Sequence, residues 1–120
     1  MKAIFVHLSG SKRGKTEFFA DSKISAGTDP SCNLHFDQSI DKSTSPFHAE
    51  INLQECDYVL KDLDSTKGTF VNNRQIKEVV IHDGDLIEYG DNGPRARFRI
   101  KTEEGDVCKP FREILADSMD

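Results

Sequence analysis

Apolar and polar residues alternate over several short stretches of this chain, which is the pattern of β-strands with one buried face. At positions 47–53 every second residue is apolar, while His48 and Asn52 fall on the polar face. At positions 95–101 apolar residues alternate with arginines, which predicts a strand with one wet, basic face. Further β-type runs are predicted at residues 2–8, 16–20, 33–36, 58–63, 69–71 and 86–89.

Turn signals separate these runs. Asp-Pro-Ser at 29–31, Asn-Asn at 72–73 and Asp-Gly-Asp at 83–85 are typical turn sequences. The runs at 47–53 and 58–63 lie so close together that they predict a hairpin. No helical periodicity occurs before residue 108. The sequence therefore predicts an all-β sandwich.

The last nineteen residues have a different character. Phe111, Ile114 and Leu115 share one face of a helix, which predicts a short C-terminal helix over residues 109–119. We expect a domain at residues 1–101 and an acidic linker with a helical tail at residues 102–120, leading to a further domain. The alternative is a helix that packs on the end of the sandwich.

The formal net charge of −5 falls mostly in that tail, which contains six acidic and two basic residues. The remaining body is close to neutral, which argues against general nucleic-acid binding. No window approaches the ~20 apolar residues of a membrane span, and the N-terminal apolar run lacks the length and cleavage site of a secretion signal. We therefore expect a cytoplasmic protein without membrane or nucleic-acid partners.

The cysteines and histidines show no metal-ligand spacing. Cys32, Cys56 and Cys108 are odd in number and form no Cys-x-x-Cys pair. This arrangement predicts three reduced thiols rather than a disulfide framework or a zinc site. No metal, no cofactor and no catalytic residue is expected.

One segment resembles a nucleotide-binding P-loop. Gly-Ser-Lys-Arg-Gly-Lys-Thr at 10–16 follows an apolar strand. A P-loop needs four residues between its glycines, and then a helix whose N-terminus holds phosphate. Here three residues separate the glycines, and Glu-Phe-Phe-Ala follows without helical periodicity. The segment is interpreted as a hairpin loop, and a nucleotide-dependent enzyme is not expected.

Three blocks resemble the forkhead-associated (FHA) family. Gly-Thr-Asp-Pro-Ser-Cys-Asn-Leu at 27–34 is similar to the family's Gly-Arg-Asp-Pro-x-Cys-Asp-Ile. Ser-Pro-Phe-His-Ala-Glu-Ile at 45–51 is similar to Ser-Arg-x-His-Ala-x-Ile. Asp-Leu-Asp-Ser-Thr-Lys-Gly-Thr-Phe-Val-Asn-Asn at 62–73 is similar to Asp-Leu-x-Ser-x-Asn-Gly-Thr-x-Val-Asn-Gly. The order and spacing of these blocks imply an FHA/SMAD-like β-sandwich of about eleven strands.

The resemblance implies a non-catalytic module whose loops at one end bind a protein, through a phosphothreonine peptide. Ser45 and Thr66 match hydroxyl positions that face the ligand in the family, and Thr28 occupies the position of its phosphate-binding Arg. Lys67 and Lys42, on neighbouring loops, are candidates for a replacement charge. The positions that the resemblance assigns to the structural motif are Gly27, His48, Gly68 and Asn72.

The chain departs from the family at its ligand-facing positions. Thr28 carries no charge where the family has Arg, Lys67 has no acceptor where the family has Asn, and Pro46 has no donor. Two interpretations follow. Either the loops bind a protein without recognising phosphate, or Lys67 and Lys42 supply the charge as point-like phosphate binders.

Overall fold

The computed structural model of the chain describes residues 1–103 and residue 106. Eleven strands occur in this part of the chain, with no helix able to span a membrane. The strands are β1 (Lys2–His7), β2 (Thr16–Phe19), β3 (Lys23–Gly27), β4 (Leu34–His35), β5 (Ala49–Gln54), β6 (Asp57–Asp62), β7 (Thr69–Val71), β8 (Arg74–Ile76), β9 (Glu78–Ile81), β10 (Leu86–Tyr89) and β11 (Arg95–Lys101). The predicted all-β class is confirmed, while the helix predicted at 109–119 lies outside the described residues.

Two sheets pack face to face. One has six strands in the order β2-β1-β11-β10-β7-β8, and the other has five in the order β4-β3-β5-β6-β9. The recorded strand pairs are antiparallel, apart from the short parallel pair of β3 and β4. The strands β1 and β11 are neighbours inside the six-stranded sheet, with Lys2 opposite Lys101.

The core forms where the alternating patterns predicted it. Ala49 and Ile51 of β5 are fully buried, and so are Ala96 and Phe98 of β11. The arginines of β11 face solvent, as the sequence predicted. The ring of Phe98 packs against two other core rings, with centroid distances of 5.6 Å to Phe5 and 5.5 Å to Tyr58.

Two of the predicted connections are tight hairpin turns. β5 and β6 pair from Ala49↔Asp62 to Gln54↔Asp57, which confirms the predicted hairpin. The pair Asn72 and Asn73 joins β7 to β8 with φ angles of 51° and 69°. Asparagine tolerates this left-handed region better than other non-glycine residues, which explains why the pair occurs at this turn.

Three strands were absent from the sequence prediction: β3, β8 and β9. β3 is composed of Lys-Ile-Ser-Ala-Gly and β8 of Arg-Gln-Ile, and neither has the run of large apolar residues that signals a strand. β9 has a Val-Val-Ile run but only four residues. Pairing with longer neighbours stabilises such strands, because the tertiary context outweighs weak local propensity.

The P-loop look-alike is a hairpin loop, as interpreted from the sequence. It joins β1 to β2, and a strand rather than a helix follows it. Of the cysteines, Cys32 is a buried free thiol, whereas Cys56 is disulfide-bonded. The prediction of reduced thiols is therefore wrong for Cys56. An odd count without a Cys-x-x-Cys pair argues against a framework of several bridges, but it does not prevent a single one.

Candidate functional site

The loops at one end of the sandwich converge on Ser45. The backbone carbonyl of Ser45 accepts a hydrogen bond from the Thr28 N–H at 3.2 Å. The Ser45 hydroxyl oxygen accepts another from the Thr66 N–H at 3.1 Å. The loops β3–β4, β4–β5 and β6–β7, which carry Thr28, Ser45 and Thr66, therefore meet at one place. We call this place the rim.

His48 joins two of these loops from beneath. Its Nδ1 accepts the Ser45 N–H at 3.0 Å, and its Nε2 lies 2.7 Å from the Gly68 carbonyl oxygen. Because Nδ1 is an acceptor, the ring proton is on Nε2, which donates to Gly68. Burial lowers the pKa of His48, although the bond to Gly68 opposes this effect. His48 is thus a neutral, fully buried brace.

The same geometry excludes His48 as a base for Ser45. Both ring nitrogens are engaged with backbone groups, so neither reaches the Ser45 hydroxyl. A nucleophilic serine needs a base within hydrogen-bond reach of its own oxygen. Within the described part of the chain, no three His, Cys, Asp or Glu side chains are arranged to hold a metal ion.

Gly27 and Gly68 allow close approaches at the rim. A Cβ atom on Gly27 would lie 2.0 Å from the carbonyl oxygen of Pro46, so only glycine fits between β3 and the β4–β5 loop. Gly68 has a φ of +83°, a backbone conformation that side chains disfavour. Both glycines support the shape of the rim through the backbone.

Asp62 shapes the β6–β7 loop, a role that the sequence did not reveal. Its carboxylate accepts hydrogen bonds from the Ser65 N–H at 3.2 Å, from the Ser65 hydroxyl and from the Thr69 hydroxyl at 2.7 Å. Burial alone would raise the pKa of Asp62, but the hydrogen bonds from Ser65 and Thr69 outweigh it and lower the pKa. The Asp-Leu-x-Ser spacing of the third block is the signal that could have pointed to this role.

Asn72 is structural but lies away from the rim. It follows β7 at the strand end opposite to Gly68. Its side-chain oxygen accepts the Leu86 N–H at 3.0 Å, and its amide donates to Asp85 at 3.0 Å. Asn72 therefore fastens the β7–β8 turn to β10 and takes no part in the convergence around Ser45.

The two lysines proposed as replacement charges are both exposed. Among the described residues, no carboxylate forms an ion pair with Lys42 or Lys67. The carbonyl of Lys67 accepts the Asp91 N–H at 3.1 Å, which ties the β6–β7 loop to the β10–β11 loop. Lys42 lines a separate cavity together with Ile40 and Pro94. The two lysines thus lie on two of the loops that meet at the rim, Lys42 on β4–β5 and Lys67 on β6–β7.

Thr28 is buried, whereas a ligand-binding residue on an open loop would be exposed. It is only 6% exposed, and it lines a shallow depression beside the β1–β2 loop. Pro46, which follows Ser45, is exposed and contributes its carbonyl oxygen to the Asp29 N–H at 3.1 Å. The three departures from the family pattern thus occupy three different environments around one rim.

Comparison with known proteins places the chain in a family. The family model for the FHA domain matches residues 24–90, so the chain belongs to the FHA family. It is 32% identical over 89 residues to the glycogen accumulation regulator GarA of Mycobacterium tuberculosis, covering 73% of this chain and 52% of GarA. The chain thus spans about half the length of the curated relatives it matches.

Solved structures share the fold. A domain from a structural and functional analysis of phosphothreonine-dependent FHA domain interactions superposes with a TM-score of 0.73 and 26% identity, over 86% of this chain and all of that one. The FhaA FHA domain, complexed with the intracellular domain of Rv3910, gives a TM-score of 0.69 and 28% identity, over 81% and 99% of the two chains. The predicted FHA-type sandwich is therefore confirmed.

Proposed function

We propose that this domain is a protein-interaction module of the phosphothreonine-peptide-binding type in a signalling or regulatory protein, and that it catalyses nothing. Its phosphate site is altered at Thr28, Pro46 and Lys67. The similarity to a regulator and to a domain solved for phosphothreonine-dependent interactions supports this proposal. The convergence of Thr28, Ser45 and Thr66 at one rim is the observation that carries it.

The hydrogen bonding of Ser45 favours an anionic acceptor as ligand. Its hydroxyl oxygen already accepts the Thr66 N–H, so its own proton is free to be donated. Ser45 is half-buried and Thr66 is exposed, so both hydroxyls reach the surface of the rim. A phosphate carries close to two negative charges and three acceptor oxygens, which suits a cluster of hydroxyl and lysine donors.

The second candidate function is docking of a protein or of another segment without phosphate. The substitutions at Thr28 and Pro46 favour it, because neither side chain supplies a positive charge. An Arg fork contributes charge-assisted hydrogen bonds of ~1.5–3 kcal/mol each, and Thr28 cannot replace them on its own. The same rim would then bind an extended peptide through backbone and hydroxyl contacts.

A peptide-binding experiment separates the two candidates. A phosphothreonine peptide library and its unphosphorylated twin are titrated into the protein, and binding is followed by fluorescence anisotropy. Phosphopeptide recognition predicts a preference of at least tenfold for the phosphorylated form. The variant Ser45→Ala should reduce this preference, since it removes the donor and leaves the Thr66 N–H without its acceptor.

Ser22→Ala is the matched control. Ser22 is exposed in the β2–β3 connection, and its side chain forms no hydrogen bond among the described residues, so this variant should bind like the parent. Equal affinity for both peptide libraries would establish phosphate-independent docking instead. No binding of either library to a folded protein would contradict both candidates.

A further inference from the structure

Thr28 combines burial with an unused hydroxyl. It is 6% exposed, yet its side-chain oxygen forms no hydrogen bond within the described residues. Three other side chains, those of His7, Tyr58 and Tyr89, have polar atoms that are inaccessible to solvent and lack a hydrogen-bond partner, and the Thr28 hydroxyl is not one of these atoms. The hydroxyl is therefore reachable from outside through the depression that Thr28 lines. A buried donor that meets neither protein nor a closed cavity is available to a ligand.

The walls of this depression come from loops that are far apart in sequence. The β1–β2 loop forms one side, and the β3–β4 and β4–β5 regions form the other. We call it the basic depression, and its principal lining residues are Ser11, Lys12, Lys15, Thr28, His35 and Asp37.

Lys15 is the freest cation in the basic depression. It is exposed, and among the described residues no carboxylate forms an ion pair with it. Lys12, by contrast, lies 3.0 Å from a carboxylate oxygen of Glu17, which also contacts His7 at 2.9 Å. The charge of Lys12 is thus partly compensated, while that of Lys15 is available to an anion.

The acidic residue in the depression is already engaged. The carboxylate of Asp37 accepts the Ser39 N–H at 2.9 Å and the Ser39 hydroxyl at 2.6 Å. These hydrogen bonds lower the pKa of Asp37, so the group remains charged. The Asp37 carboxylate repels an anion to some degree, and its hydrogen-bonded oxygen is directed toward Ser39. Because Lys12 is partly compensated by Glu17 and the Asp37 carboxylate is engaged with Ser39, Lys15 is the lining charge that remains for an anion.

The β1–β2 loop is held in place before any ligand binds. The Ser11 N–H donates to the Asp41 carboxylate at 3.0 Å, and the Asp37 N–H donates to the Ser11 hydroxyl at 3.1 Å. The carbonyl of Lys15 accepts the His7 N–H at 2.9 Å. Fixed loops lose little conformational freedom on binding, which favours affinity. The backbone that carries Lys15 is therefore prepared for a ligand.

We propose that the basic depression is an anion site in which Lys15, assisted by Lys12 and the Thr28 hydroxyl, supplies the charge that Arg supplies elsewhere in the family. This inference rests on the proposed function, since it names the group that holds the phosphate of the peptide. In this arrangement the phosphate lies over Thr28, on the side of the β1–β2 loop. Lys67 and Lys42 stand outside this arrangement.

Charge removal at Lys15 is the first test. In anisotropy titrations with a phosphothreonine peptide selected from the library, Lys15→Ala should weaken binding about tenfold, because a charge-assisted contact is lost. Lys15→Arg should restore affinity, since the charge is kept. The control Lys61→Ala, on the exposed side of β6, should bind like the parent. Unchanged binding by Lys15→Ala, with loss in Lys67→Ala or Lys42→Ala, would overturn the inference.

A second measurement tests the anion site independently of peptide binding. Inorganic phosphate is titrated into ¹⁵N-labelled protein, with sodium chloride at equal ionic strength as the reference. Amide shifts at Ser11, Lys15 and Thr28 that disappear in Lys15→Ala are expected. If both peptide libraries bind equally, the proposed function fails, and this titration still decides the site. Shifts that are absent, or that survive in Lys15→Ala, would overturn the inference.

Discussion

The rim consists of two parts that differ in how closely they follow the family. The supporting part comprises Gly27, His48, Asp62 and Gly68, each matching the family motif and each engaged in a close approach or in hydrogen bonds. The other part, named ligand-facing because its positions face the ligand in the family, comprises Thr28, Pro46 and Lys67, each of which departs from the motif. The supporting part is largely buried, whereas Pro46 and Lys67 are exposed.

This difference shows that the geometry of the rim does not depend on the charged residues at its surface. The hydrogen bonds that bring Thr28, Ser45 and Thr66 together use backbone groups and the Ser45 hydroxyl, so they do not depend on an Arg at position 28. A family can therefore keep the shape of a binding rim while its charged contacts change. The supporting part should govern stability, and the ligand-facing part should govern affinity and specificity.

The largest stability loss is expected for His48→Ala. The variant removes a fully buried ring and leaves the Ser45 N–H and the Gly68 carbonyl without partners. A cavity together with unsatisfied polar groups should cost about 3–4 kcal/mol in the free energy of unfolding, measured by urea denaturation. His82→Ala, at an exposed position, should change it by less than about 0.5 kcal/mol. Similar losses in both variants would contradict the role of His48 as a brace.

A smaller loss is expected for Gly27→Ala. The added methyl group would meet the Pro46 carbonyl oxygen at 2.0 Å, so the β4–β5 loop must move. We expect a cost of about 2–3 kcal/mol by urea denaturation. Gly14→Ala is the comparison, since its Cβ meets nothing within 4 Å and its φ of +86° costs only about 1 kcal/mol. If Gly14→Ala were the more destabilising variant, the close approach at Gly27 would not matter.

Thr69→Val tests the Asp62 contact. Thr69 is fully buried and donates to the Asp62 carboxylate at 2.7 Å. Valine keeps the shape but removes the donor, which should cost about 1–2 kcal/mol in thermal or urea unfolding. Thr16→Val, at an exposed position on β2, should be nearly neutral. An unchanged stability of Thr69→Val would show that Ser65 alone is sufficient to hold Asp62.

Acidification should lower the free energy of unfolding of the domain. Burial lowers the pKa of His48 and, against the opposing influence of Glu17, also that of His7. The unfolded chain takes up protons near the ordinary value of 6.5, before the folded protein does. Stability is therefore present above pH 6.5 and declines as the pH falls through the lower pKa values of the folded state. A urea midpoint that is higher at pH 5.5 than at pH 7.5 would contradict this.

Much of the fold was predictable from the sequence because it depends on local patterns. β5 and β11 alternate strictly, and their buried faces are those that the alternation indicates. The Asn72-Asn73 turn was predictable because few residues tolerate its backbone angles. β3 and β8 were missed because their stability comes from neighbouring strands rather than from their own residues.

The site was predictable only where its residues belong to the three motif blocks. Ser45, Thr66 and His48 were placed by order and spacing, and the structure brings them together. The β1–β2 loop lies beside Thr28 in the basic depression and contacts Asp41 through Ser11, although these segments share no motif. Such long-range contacts leave no local trace, so the sequence did not indicate Lys15 as a neighbour of Thr28.

The most direct test of the central claim is an amide-shift map of ¹⁵N-labelled protein with a phosphothreonine peptide. If the rim is the binding site, the largest shifts occur at the amides of Thr28, Ser45 and Thr66, and they are absent with the unphosphorylated peptide. Shifts confined to the solvent-facing side of β11, where its arginines lie, would contradict the account and place the interaction on the outer face of the six-stranded sheet.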